Sequence, residues 1–117
     1  MIAVIFEAEP ALGQTGAYLS LAAALRPQLE TIDGFISIER FQSVSDPKRY
    51  LSLSFWRDEA AIAQWRNIEM HRQAQASGRH HIFADYRLRI AEVRRDYGLS
   101  DRTQAPPDSL SHHDFPA

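Results

Sequence analysis

Cysteine is missing from all 117 residues. Its absence removes disulfides, thiolate nucleophiles, iron-sulfur clusters and cysteine-ligated zinc, and it permits an intracellular setting. Excess positive charge is missing too: 13 Lys and Arg stand against 15 Asp and Glu, giving a formal charge of -2 and a pI near 6.2. With no basic run to offset that balance, nucleic acid is not an expected partner. No apolar stretch approaches membrane-spanning length, and the first residues lack the basic region and long apolar core of a signal peptide. The expectation is therefore a cytoplasmic protein with no membrane partner. Nucleotide cofactors are not indicated either. The segment Gly13-Gln14-Thr15-Gly16 is too short for a phosphate loop and lacks its lysine, and no Ser-His-Asp arrangement is present.

What remains is ordinary material for one small core, with 44% hydrophobic and 24% charged residues. Residues 1–8, rich in Ile, Val and Phe, read as a strand with Ile2, Val4 and Phe6 on one face. After a loop marked by Pro10, Gly13 and Gly16, the residues Tyr18, Leu21, Leu25 and Leu29 recur at helical spacing, so a helix is expected over about 15–30. Pro27 should kink or tighten its last turn. Asp33-Gly34 reads as a turn and 35–41 as a second strand, with Ile36 and Ile38 on one face against Ser37 and Glu39. A turn at 45–48 leads to a third strand, in which Leu51, Leu53 and Phe55 alternate with Ser52, Ser54 and Trp56; these two strands should pair as a hairpin.

Residues 55–71 carry both tryptophans and pass from strand to helix. Asp58 is placed to cap the helix, and Ile62, Trp65 and Ile68 form its apolar stripe, which His71 and Gln75 prolong. Helical character continues to Ser77-Gly78, as one helix or a pair. The last strand is expected over 86–97, with a phase change at Glu92 and Val93 that marks a bulge or a strand end leaving its sheet. From Gly98 onward, Pro, Ser, Asp and His dominate without a period. The organisation is thus a domain over 1–97 and a mobile or surface-draped tail over 98–117. The element order β-α-β-β-α-β is the α+β, ferredoxin-like arrangement, an antiparallel four-stranded sheet with both helices on one face. Its other face carries large apolar residues, so a homodimer through that open sheet face is expected.

The run Phe55-Trp56-Arg57-Asp58-Glu59-Ala60, then Trp65, His71, Gln75, Gly78 and the last strand, resembles the antibiotic biosynthesis monooxygenase superfamily, and the Asp33-Gly34-Phe35 turn fits it. The resemblance implies a dimeric α+β barrel with a cavity in each subunit between helices and sheet. It also implies a monooxygenase that needs no cofactor and acts with molecular oxygen on a flat aromatic or quinol-type molecule. In the haem-degrading branch of that superfamily, an Asn on the first strand, a Trp on the second helix and a His beyond it are characteristic. Trp65 matches, but the other two places fall near Phe6 or Glu7 and at Gln75. Haem as cofactor is therefore the alternative, with His71 as its ligand. A non-catalytic, dimeric ligand-binding or stress-associated module is the third reading.

His71 is the candidate catalytic base, because an imidazole titrates near neutrality. Trp65, Phe83, Phe6 and Tyr86 are the candidate aromatic walls, with Gln75 orienting a substrate oxygen. Trp65 also suits an ordinary core position, and His71 an ordinary hydrogen-bonded one. No metal site is assigned: His80 and His81 are adjacent and point apart on an extended segment, and with Asp85 they do not make a coordination set. His112 and His113 in the tail are weaker still, and Arg87, Arg89, Arg94 and Arg95 read as solvated strand charges.

Overall fold

A computed structural model describes the backbone of residues 1–77 and 82–113, and the side chains of 1–69 and 82–110. Four strands, β1 (Ile2–Pro10), β2 (Phe35–Gln42), β3 (Tyr50–Trp56) and β4 (Phe83–Glu92), lie in the order β2-β3-β1-β4, and every neighbouring pair is antiparallel. Two long helices, α1 (Thr15–Leu29) and α2 (Glu59–Ser77), complete the ferredoxin-like β-α-β-β-α-β order, and a short α3 (Pro107–His113) follows.

Directly opposed residues share a sheet face, so the register sorts the side chains. Ile2, Val4 and Phe6 of β1 lie on the same side as Ser52, Ser54 and Trp56 of β3 and Ile38 and Arg40 of β2. This is the side covered by the helices: Leu29, Ile32, Trp56, Ala61 and Ile62 form the buried core, with Ile2, Val4, Phe35, Ile38, Trp65 and Ile68 packed against it. Trp56 is fully buried, and its Nε1–H donates to Ser54 Oγ at 2.9 Å, so the indole satisfies its one polar group inside the core. The leucine side of β3 (Leu51, Leu53, Phe55), with Ala3 and Ile5, faces away from the helices.

The helix ends follow local chemistry. Asp58 Oδ1 accepts the Ala61 amide at 3.0 Å, the expected cap of α2. α1 runs through Pro27, and its end tightens into bonds from Thr31 N–H to Gln28 O and from Ile32 N–H to Leu29 O. α2 is a single helix rather than a pair.

Two expectations need correction. Ile36 and Ile38 do not share a face: the register shifts between Phe35 and Ser37, and the extra residue turns Ile36 outward while Phe35 and Ile38 pack on the core. The last strand spans Phe83–Glu92 rather than 86–97; Val93 N–H still donates to Met1 O at 3.0 Å, after which the chain leaves the sheet. The tail also holds regular structure. Arg102 donates to Gly98 O and Ser109 O and lies over the Tyr97 ring, Asp101 Oδ1 accepts from Thr103, and Ala105 is buried. Pro107 suits the first position of α3, where no amide donor is needed, and Asp108 complements the positive end of the helix.

Candidate functional site

The helices do not fill the space above the sheet. A cavity of about 60 Å³, open to solvent on one side, lies between them. Its floor owes its depth to Ser52, a small residue placed directly between Arg40 of β2 and Phe6 of β1. A larger side chain there would occupy the gap. Tyr18, Leu21 and Leu25 of α1 form one wall, and Trp65 and Glu69 of α2, one turn apart, form another. Phe83 closes the β4 side.

Four aromatic rings, Phe6, Tyr18, Trp65 and Phe83, join aliphatic residues of α1 and β2 in this lining. Phe83 meets Phe6 at 5.5 Å and Tyr18 at 5.4 Å in edge-to-face contacts, the favoured geometry for such pairs. Phe6, Trp65 and Phe83 are thus brought to one cavity. Tyr86 contacts the rings of Phe6 and Phe83 at 5.6 and 5.8 Å but is 61% exposed and stands beside the cavity rather than in its lining. His71 and Gln75 belong to α2, but their side chains lie outside the described residues, as do those of the other four histidines.

The polar lining was not singled out in the sequence. Arg40 Nε donates to Tyr18 Oη at 3.1 Å, with the guanidinium carbon 5.6 Å from the centroid of the same ring. Glu69 also faces the cavity; burial pushes its carboxyl above the usual range, and the Arg40 charge partly offsets that rise. Tyr18 was visible only as part of a helical stripe, and Glu69 had a signal in standing four residues after Trp65. The described lining residues include no imidazole, thiolate or thioether, and His71, the residue named for a haem iron, has its side chain outside them. No cluster of three or more potential metal ligands occurs among the described residues.

A second polar group braces the turn before β2, the end of β3 and the start of α2. Arg57 donates through both terminal nitrogens to Asp33 at 3.1 and 3.3 Å and through Nε to Asp58 at 2.9 Å. The bonds from Arg57 and from the Ala61 amide hold the Asp58 carboxyl below its ordinary range. Gly34 fits under this brace with φ 96, and its carbonyl accepts the Arg57 amide at 2.7 Å.

Comparison with known proteins places this geometry. The structure of Rv0793 from Mycobacterium tuberculosis superposes with a TM-score of 0.70 at 16% identity, covering 83% of this chain and 98% of that one. PA3566 from Pseudomonas aeruginosa gives 0.66 at 20% identity, covering 79% and 92%. At such identities the likeness is one of fold. In sequence, a Pyricularia oryzae protein called jasmonate monooxygenase ABM is 48% identical over 93 residues, 80% of this chain. The match takes in 43% of that relative, so this chain spans less than half its length. Protein YqjZ of Bacillus subtilis, of uncharacterised function, is 28% identical over 106 residues, 86% of each chain. Residues 1–77 match the family described as antibiotic biosynthesis monooxygenase, and the chain belongs to that family.

Proposed function

We infer that the chain is a monooxygenase that uses molecular oxygen on a small, flat, largely apolar molecule of aromatic or quinol type. The observation carrying this reading is the aromatic cavity of Phe6, Tyr18, Trp65 and Phe83 between helices and sheet. Such walls cover a flat ring system and keep water from a reactive anion. Family membership and the name of the Pyricularia oryzae relative support monooxygenase chemistry.

The reaction needs no resident cofactor when the substrate supplies the electrons. A base removes a proton from an acidic phenol or an anthrone-type CH₂ group, and the electron-rich anion combines with oxygen. The resulting hydroperoxide then loses water to leave a ketone. One O₂ is consumed, one oxygen atom stays in the product and the other leaves as water. His71 on α2 is the proposed base. The open sheet face is the proposed homodimer surface, where two sheets pack as a dimeric α+β barrel.

Oxygen uptake tests this reading, with anthrone-type phenols and with jasmonate as substrates. Uptake of one O₂ for each ketone formed is expected, with turnover falling about a hundredfold or more in His71→Ala. Unchanged turnover in that variant would remove the histidine from the mechanism. Binding of these molecules without uptake would leave a ligand-binding module instead.

A further inference from the structure

Among the polar residues of the cavity lining, Arg40 and Tyr18 are joined by a hydrogen bond. Arg40 is half-buried on β2, directly opposite Ser52, and its Nε–H donates to Tyr18 Oη. A guanidinium carries five N–H donors, so four lie beyond the one given to Tyr18. The phenol, having accepted that bond, keeps its own O–H to donate. Tyr18 is 4% exposed, and its ring is held between Tyr50 at 5.9 Å and Phe83 at 5.4 Å. Both sets of donors are therefore anchored together in a largely apolar lining.

The count of donors points the same way. The charged groups lining the cavity are Arg26 from α1, Arg40 from β2 and Glu69 from α2, two cations against one carboxylate. Arg26 is engaged with Glu30 at 3.1 Å on the outer side. Glu69 stands near Arg40, so the donors of Arg40 and Tyr18 face one carboxylate among the lining residues, and an oxyanion brought in by a ligand meets more donors than acceptors there.

We propose that Arg40 and Tyr18 form the receptor for an oxyanion on the substrate, so that the cavity selects organic acids: a flat apolar body with one carboxylate, phenolate or enolate at its edge. This rests on the reading of the cavity as the substrate site. The aromatic rings cover the body, while the oxygen takes charge-assisted bonds from the guanidinium and a further bond from the phenol, which is stronger recognition than neutral groups provide. Where the substrate is a quinol or anthrone, the same donors stabilise the oxygen anion left by proton removal, the charge that must persist until oxygen is met. Arg40 and Tyr18 are then binding residues that also favour the reactive form.

Titration of tryptophan fluorescence with three probes at neutral pH tests the proposal: naphthoate, its neutral isostere naphthamide, and a nitronaphthol that is ionised there. Naphthoate should bind about tenfold or more tightly than naphthamide. In Arg40→Met that ratio should fall to near one, while Arg40→Lys should keep part of it and Tyr18→Phe should lower it less. Near-ultraviolet circular dichroism of each variant establishes that its fold is retained. A tight nitronaphtholate supports a phenolate or enolate as the natural oxyanion, and a tight naphthoate with a weak nitronaphtholate supports a carboxylate. Equal binding of naphthoate and naphthamide by the unsubstituted protein, or a preference that survives Arg40→Met, would overturn the receptor and leave the cavity standing. Failure of all three probes to bind would overturn both.

Discussion

Among single residues, Glu69 ties the cavity to stability. Its carboxyl is raised above 4.5, first by burial, with Arg40 pulling in the opposite direction. Between the ordinary value and the raised one, the native state binds more protons than the unfolded chain. Stability is therefore fully present below about 4.5 and falls as pH rises through the native value. Glu69→Gln removes that titration while keeping the shape. The variant should gain stability relative to the unsubstituted protein as pH goes from below 4.5 to neutral, read as the difference between their urea midpoints at the two ends. A difference that moves the other way would show that attraction to Arg40 outweighs burial.

At the level of elements, most of the architecture was legible in local patterns. The Tyr18, Leu21, Leu25 and Leu29 spacing produced α1, the Leu51-to-Trp56 alternation produced β3, and Asp58 marked the start of α2. Which face of β3 meets the helices was not legible. Hydropathy favours placing the leucines inward, yet the serines and Trp56 occupy that side, because the core needs room for an indole and the cavity needs a small floor residue. The Ile36 bulge escaped for a related reason, since one extra residue leaves composition unchanged while reversing phase. The Arg40–Tyr18 pair joins β2 to α1 across 22 residues, a contact that no local period encodes. Gly34 was read as a turn residue, and the packing gives it a stricter role between β2 and α2. A Cβ there would stand 2.9 Å from Ala61 Cβ on α2 and 3.3 Å from the Arg57 guanidinium, at a positive φ that disfavours side chains. The guanidinium can move aside, but Ala61 is fixed by its helix. Gly34→Ala should lower unfolding stability by about 1–3 kcal/mol, measured by chemical denaturation. An unchanged midpoint would mean that the turn and α2 separate without cost.

For the whole molecule, the unanswered requirement is the sheet face that the helices leave bare. Leu51, Leu53, Phe55 and Ile5 lie there half-buried, and Ile36 and Phe41 are 52 and 42% exposed beside them. Glu7 crosses the same face to Arg89 at 3.3 Å and Arg49 at 3.7 Å, so an apolar centre has a paired, charged border. Ion pairs this exposed contribute little to the stability of one subunit, but they suit the polar rim of an interface. A contiguous apolar area of this kind is unfavourable in water, and a second copy placed face to face covers it symmetrically. Sedimentation at micromolar concentration should therefore give twice the subunit mass of 13.3 kDa. Leu53 is central, paired with Ile5 on one side and Glu39 on the other, so Leu53→Glu would bury two unpaired carboxylates at the heart of the interface. That variant should sediment as a monomer while its far-ultraviolet circular dichroism stays unchanged. A monomer from the unsubstituted chain under the same conditions would rule out the face-to-face dimer and leave the leucine side of β3 without a physical reason.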